Sequence, residues 1–345
     1  MSRRQVSLLV VAAVLALLLV LAPRVLLVVF AGVLLAVFLR GGGDAIARWT
    51  GSGKDWGLGL FTVLLAGLAV GIGMVAAPLL ASQLDELWQE VPQAVRTIRK
   101  WVESWAWGRW ILDQVDPAQL MSKAGGGAAK TASTAITTTF GALGNMVLIL
   151  FLGIYMAAEP RLYTRGIEAL VAPSLRPRAA AFLGELRETL QQWLVAQLFS
   201  MTIVGTLTGL GLWLLGVPLA LVLGIIAALF TFIPNIGPVL SAVPALLLAL
   251  AEEPVLAVWV VALYLGVQTL ESYFITPLIQ ERRVELPPAL VISVQLLLGV
   301  LFGVLGLALA TPLAAAGLTT VRRLYVDTYL ESAEECQAAR QQAAG

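Results

Sequence analysis

Glu271 is the side chain best placed for ion chemistry, because it is the only carboxylate well inside an apolar stretch near the chain's proline- and glycine-rich breaks. It follows the apolar run Val255–Leu270, and Gln268, three residues earlier, shares its helix face. A charge at the centre of a membrane helix costs roughly 2.5–3.5 kcal/mol on insertion scales, so a retained acid is typical of a proton- or cation-linked site. The alternative is an acid near the headgroups that reaches water, since Pro277 lies six residues later.

A break in the apolar pattern supplies a second set of polar groups. Pro234, Asn235, Gly237 and Pro238 predict a sharp turn that presents backbone carbonyls and one amide side chain. Carbonyls of an unwound helix can hold a cation or a polar solute. The alternative is an ordinary surface loop.

A second interrupted stretch, Leu286–Pro312, carries Gln295, Gly303 and Gly306. The amide of Gln295 can bind a solute or bond between helices. The two glycines, with Gly299, predict close packing or a bend, and ligand contact is the alternative reading.

Composition limits the class of protein. Of 345 residues, 59% are hydrophobic and 12% are charged, against about 25% charged in soluble domains. The mean hydropathy is +0.89, which indicates a polytopic membrane protein. The net charge of +1 argues against nucleic acid as a partner.

Several kinds of chemistry lack their usual residues. The sequence has no histidine, and its single cysteine, Cys336, lies in a polar tail, so disulfides, thiolate metal sites and Cys–His catalysis are excluded. No GxxxxGK[ST] phosphate loop and no GxSxG elbow occurs. We therefore expect neither an enzyme nor a bound cofactor.

The hydrophobic pattern predicts an all-α polytopic membrane protein with about eight transmembrane segments, two of them broken or re-entrant helical hairpins, plus an amphipathic extracytoplasmic helix. Val6–Ala22 is interpreted as an uncleaved first span, with a signal peptide as the alternative. Arg40–Trp56 is expected to be a polar loop.

The pattern divides the chain into six predicted regions. They are transmembrane helices in 1–80, an amphipathic helix and linker in 81–130, a fourth span in 131–158, a cytoplasmic loop and helix in 159–194, a transport core in 195–325, and a polar tail in 326–345.

The segment Ala81–Leu112 has the pattern of an amphipathic helix rather than a span. Five of the ten tryptophans fall between Trp88 and Trp110, and tryptophan prefers the headgroup layer. We expect a helix that lies on the membrane or leans out of it, with a small soluble cap as the alternative.

Lysines and arginines in short loops can all face the cytoplasm if both termini are inside and 81–130 is outside. The same threading makes Pro218–Ala251 an outward-mouthed hairpin and Leu286–Pro312 an inward-mouthed one. Opposed hairpins of this kind build central sites in transporters. Eight conventional crossings are the alternative.

Three blocks, in order along the chain, resemble the autoinducer-2 exporter family of bacterial permeases: Phe232–Pro238, Glu271–Pro277, and Leu286-Pro287-Pro288 with Leu301–Gly306 and Thr311–Ala314. Together with the span pattern the resemblance covers about residues 5–325. It implies an integral inner-membrane exporter, with autoinducer-2 as one proposed substrate, while other members look like Na⁺(Li⁺)/H⁺ antiporters. It also implies a homo-oligomer, with a pentamer as the expected size. The predicted solute or ion pathway comprises Pro234, Asn235, Gly237, Pro238, Gln268, Glu271, Thr276, Pro277, Gln295, Gly303 and Gly306.

Three functions compete at this point. The first is export of a small polar solute by alternating access, the second is antiport of a monovalent cation, and the third is a non-transporting membrane scaffold that docks partners through 81–130. A scaffold has no need of broken helices within the bilayer. The expected partners are membrane lipids, a small polar solute or monovalent cation, and further copies of the chain.

Overall fold

The computed structural model describes Leu17 and residues 21–103, 128–275 and 287–323. Throughout these ranges the ordered elements are helices and turns, without strands. The prediction of an all-α protein is therefore confirmed. In chain order the α-helices are α1 Pro23–Thr50, α2 Lys54–Glu103, α3 Ala128–Ala158, α4 Pro160–Leu170, α5 Arg176–Leu214, α6 Ala220–Thr231, α7 Ile236–Glu252, α8 Pro254–Leu270 and α9 Pro288–Val321.

Four of these helices start on a proline: α1 at Pro23, α4 at Pro160, α8 at Pro254 and α9 at Pro288. The first residues of a helix have no intrahelical acceptor for their N–H groups, so proline loses nothing there. Its fixed φ also suits the first turn. Local covalent geometry therefore favours these helix starts.

Five of the described helices are long and apolar enough to cross a membrane, or six if the bent pair α3–α4 counts as one span. The chain is thus a polytopic membrane protein, as predicted. Most of the predicted first span, Val6–Ala22, lies outside the described residues. The total of eight segments stays a prediction.

The predicted extent of one loop is wrong. The expected loop Arg40–Trp56 is helical as far as Thr50, because α1 continues through Gly41, Gly42 and Gly43. Packing explains this, since a Cβ at Gly41 would lie 2.7 Å from the side chain of Gln191 in α5 and tertiary contacts override weak helix propensity. Helix α2 continues through Ala81, and the predicted division of the chain at that residue stays a prediction.

The chain divides into two compact units. The first comprises Met1–Leu65, Leu148–Ala196 and Ile279–Gly345, and the second comprises Ala66–Val147 and Gln197–Leu278. Helix α5 passes from the first unit into the second between Ala196 and Gln197.

Within the first unit, a charge network joins four helices. The mostly buried Arg40 donates to Asp55 at 3.2 Å and to the carbonyl of Ala157 at 3.4 Å, and its Nε lies 3.6 Å from Asp44. Asp44 in turn pairs with Arg187 at 2.7 Å. The network connects α1 with α2, with the end of α3 and with α5.

Within the second unit, helices α5 to α8 share an apolar core. Leu212, Leu223, Ala245 and Val260 contribute one fully buried side chain from each helix. Helix α6 approaches α5 very closely, since a Cβ at Gly224 would lie 2.7 Å from the Cα of Gly209. Small residues at such contacts let helix backbones meet in lipid.

Helices α6 and α7 of the second unit form the first hairpin. They pack against each other and are joined by the turn 232–235. Each of the two helices is shorter than 18 residues and is therefore too short to cross a membrane alone. At the turn, a Cβ on Gly237 would overlap the carbonyl oxygen of Phe230, so only glycine allows this approach.

Helix α9 of the first unit contains the second hairpin. Gly303 has φ 66° and ψ −143°, a non-helical conformation that is essentially restricted to glycine. A Cβ on Gly306 would overlap the carbonyl oxygen of Leu298, and one on Gly299 would lie 2.9 Å from Leu307. In a straight helix residues eight apart are about 12 Å apart, so these contacts mean that the chain folds back at Gly303.

The close approach at the first hairpin predicts a stability difference between two glycine variants. Gly237→Ala should destabilise the protein by about 1–3 kcal/mol, because the added methyl meets backbone that must move. Gly266→Ala is the matched control, because nothing lies within 4 Å of a Cβ at that position in α8. The measurement is the thermal unfolding midpoint in detergent, and equal midpoints for the two variants would contradict the prediction.

Candidate functional site

Glu271 lies where α8 ends and is held by two side-chain donors. Ser200 of α5 donates its hydroxyl to Glu271 Oε1 at 2.5 Å, and Gln268 donates Nε2 to Oε2 at 3.2 Å. Gln268 also lies 3.5 Å from the hydroxyl of Ser272. The carboxylate is partly buried, and each oxygen has a partner. The predicted pairing of Gln268 with Glu271 on one helix face agrees with these distances.

The backbone changes its geometry at Glu271. A π-helical turn, Glu271–Ile275, follows α8 directly. Such turns insert an extra residue into each turn and are often found at functional sites. Because Glu271 is the first residue of this turn, its side chain projects from a point where the regular helix ends.

A second polar contact lies one helical turn earlier on α5. The buried Gln197 donates Nε2 to the carbonyl oxygen of Thr231 at 2.6 Å, and the hydroxyl of Thr231 donates to Ala227 at 2.7 Å. Thr231 is the last residue of α6, immediately before the turn. Gln197 and Ser200 are three residues apart, so one face of α5 contacts both the hairpin turn and the acid.

The turn itself is narrower than the predicted break Pro234–Pro238. Helix α7 resumes at Ile236, so Gly237 and Pro238 belong to its first turn, where proline needs no N–H partner. Asn235 is exposed and has φ 67°, a left-handed value that asparagine tolerates better than most residues.

Two backbone carbonyls at this turn already accept hydrogen bonds from groups of the protein. Pro234 accepts from the Ile236 amide at 2.8 Å, and Pro238 accepts from the Ser241 hydroxyl at 2.9 Å. A carbonyl oxygen has two lone pairs and can still accept a second donor or a cation.

Gln295, Gly303 and Gly306 belong to the first unit, whereas Glu271 and the turn belong to the second. Gln295 is completely buried on the first arm of α9, and Thr311, 5% exposed, is buried on the second arm. Gly299 and Leu307 face each other across the hairpin, and Gln295 and Thr311 each lie one helical turn farther from its tip. The convergence of the two breaks on Glu271 stays a prediction.

Two predicted site residues, Thr276 and Pro277, lie outside the described residues, as does the part of Ala81–Leu112 beyond Glu103. The sequence analysis did not identify Ser200 or Gln197 as residues of the site. Their common signal is two polar side chains three positions apart within an apolar span.

The arrangement around Glu271 suits a proton or a monovalent cation. A carboxylate offers about four lone-pair positions, of which the two bonds from Ser200 and Gln268 occupy two. In the described part of the chain, no group of three or more His, Cys, Asp or Glu side chains could hold a metal ion.

The sequence matches a known family model over most of its length. The model, AI-2E family transporter, matches residues 8–325. This range contains every residue of the site described above.

Individual relatives carry transport names. "Putative transport protein YueF" of Bacillus subtilis is 25% identical over 268 residues, which cover 74% of this chain and 73% of the relative. "Putative transport protein MT0215" of Mycobacterium tuberculosis is 31% identical over 274 residues, which cover 73% of this chain and 71% of the relative. YrrI of Bacillus subtilis, also so described, is 32% identical over 165 residues, covering 48% and 47%.

The Gln197–Thr231 bond predicts how the hairpin turn is stabilised. Gln197→Met keeps the side-chain length but leaves the Thr231 carbonyl without this donor, which should cost about 1–3 kcal/mol. Backbone amides of residues 232–237 should then exchange with solvent faster, as measured by hydrogen exchange with mass spectrometry.

Gln192→Met on the same helix is the matched control, because Gln192 is exposed and bonds only to the exposed Glu188 among the contacts described. Unchanged exchange in Gln197→Met, or an equal increase in Gln192→Met, would show that the bond does not hold the turn.

Proposed function

The chain belongs to the AI-2E transporter family, and on that premise we propose that it exports a small polar solute across the bacterial inner membrane by alternating access. It is a multi-pass membrane protein with two sharply reversed apolar helical segments. Paired interruptions of this kind are typical of transporters, whose sites form from discontinuous helices. The observation that carries the proposal is the Ser200–Glu271–Gln268 cluster one helical turn from the contact of α5 with the first hairpin.

In the proposed mechanism, α5 links the hairpin turn to Glu271, because it contacts both of them. A movement of the α6–α7 hairpin displaces the Thr231 carbonyl and with it Gln197, which shares a helix face with Ser200. Ser200 can donate or accept, so its bond to Glu271 persists when the acid gains a proton. Binding at Glu271 and the position of the hairpin are therefore coupled through three neighbouring side chains.

Antiport of Na⁺ or Li⁺ against protons is the second candidate function. It is favoured by the same cluster, because the Glu271 carboxylate and the Ser200 hydroxyl can supply oxygen ligands and the carboxylate is also a titratable group. The choice between the two functions depends on whether flux of a monovalent cation follows the pH gradient.

We also place both termini in the cytoplasm, because the basic short loops then all face inward. We propose a homo-oligomer of the chain, with the pentamer implied by the family resemblance as the working size.

Replacing the acid tests the proposed role of Glu271. Glu271→Gln should reduce flux in proteoliposomes about tenfold or more, because an amide can neither take up a proton nor balance the charge of a cation. The thermal unfolding midpoint should stay close to wild type, since glutamine has nearly the same shape.

Glu252→Gln is the control, because Glu252 is exposed at the end of α7 and should transport normally. Efflux of a labelled solute supports export, and a pH-dependent sodium signal supports antiport. Full flux by Glu271→Gln would remove this acid from the mechanism, and the absence of both signals in wild type would reject transport of these solutes.

A further inference from the structure

Helix α4 is amphipathic, and its apolar side is uncovered. Arg161, Arg165 and Glu168 recur at four- and three-residue intervals and mark one face. The other face carries Leu162, Ile167 and Leu170, which are 62%, 47% and 65% exposed. No residue of the helix is buried. Most of the surface of this helix is therefore not covered by the rest of the described chain, although Tyr163, Thr164 and Glu168 are half-buried.

The direction of α4 indicates that its apolar face contacts lipid. The apolar helix Leu143–Ala158 ends at Glu159, and α4 leaves it at 86°. Leu148, Phe151 and Tyr155 on the preceding helix are also exposed, as expected for a surface that faces lipid. A helix nearly perpendicular to a span runs along the plane of the membrane surface. Its apolar face then continues the lipid-facing surface of α3.

We propose that α4 lies in the headgroup layer and binds anionic phospholipid through Arg161 and Arg165. Guanidinium groups bond phosphate oxygens in a bidentate manner. Both arginines are exposed, and neither forms an ion pair within the described part of the chain. Glu168 on the same face and Glu159 at the helix start are the opposing charges. Arg176 and Arg178, at the start of α5, add positive charge after the connecting turn.

The bilayer fits this face better than a second copy of the chain does. The apolar strip is one short helix wide and turns away from the span, whereas a stable protein interface buries about 800 Å² on each partner. Lipid also matches the charge pattern, because anionic headgroups lie directly beside the acyl chains that receive the leucines. In this position α4 fixes the connection between α3 and α5 at the membrane surface.

The depth of α4 is measured with single spin labels in a Cys336→Ala background. Labels at Leu162 and Ile167 should collide with oxygen more than with a water-soluble nickel reagent, and a label at Glu168 should show the reverse. Labels at Leu162 and Ile167 that favour the nickel reagent would overturn the proposal. Labels that neither reagent reaches would also overturn it, since the face would then be covered by protein.

The headgroup requirement is tested by thermal unfolding in nanodiscs. Phosphatidylglycerol should raise the wild-type midpoint by several degrees relative to phosphatidylcholine alone. Arg161→Gln with Arg165→Gln should lose this shift, while Arg161→Lys with Arg165→Lys should keep part of it, because lysine retains the charge but not the bidentate bonds. Inorganic phosphate added to phosphatidylcholine nanodiscs should not reproduce the shift. An equal shift in the glutamine variant, or the full shift with free phosphate, would show that these arginines do not bind lipid headgroups.

Discussion

A backbone amide or carbonyl inside a hydrocarbon layer must find its partner within the protein, and this constraint governs the whole chain. An uninterrupted helix satisfies this constraint, because its backbone groups pair with one another. The turn 232–235 and the reversal at Gly303 leave the helical pattern, so their polar groups depend on nearby side chains and close backbone packing. The first of them is served by Gln197, whose amide reaches the Thr231 carbonyl. At these two positions the departure from helix is accompanied by a polar side-chain contact or by glycine.

Helix α5 contributes both to the charge network of the first unit and to the contacts around Glu271. Its first half takes part in the charge network of the first unit through Arg187, and its second half carries Gln197 and Ser200. Both polar residues lie on one face of this helix, and the proposed coupling between the hairpin and Glu271 depends on that arrangement.

The local features of this fold can be predicted from the sequence better than its long-range contacts can. The helical class, both breaks and the Gln268–Glu271 pair follow from periodicity, proline and glycine positions, and a spacing of three residues. The bond from Ser200 to Glu271 joins residues 71 positions apart, so no local pattern contains it. The helical course of Gly41–Gly43 was also missed, because tertiary packing there overrides a weak helical preference.

The prolines that begin α1, α4, α8 and α9 have a consequence for folding. A proline at the first helical position already has the backbone angle of a helix, so these starts are favoured before any long-range contact forms. We therefore expect the ends of these four helices to depend less on tertiary packing than the ends of the other helices do.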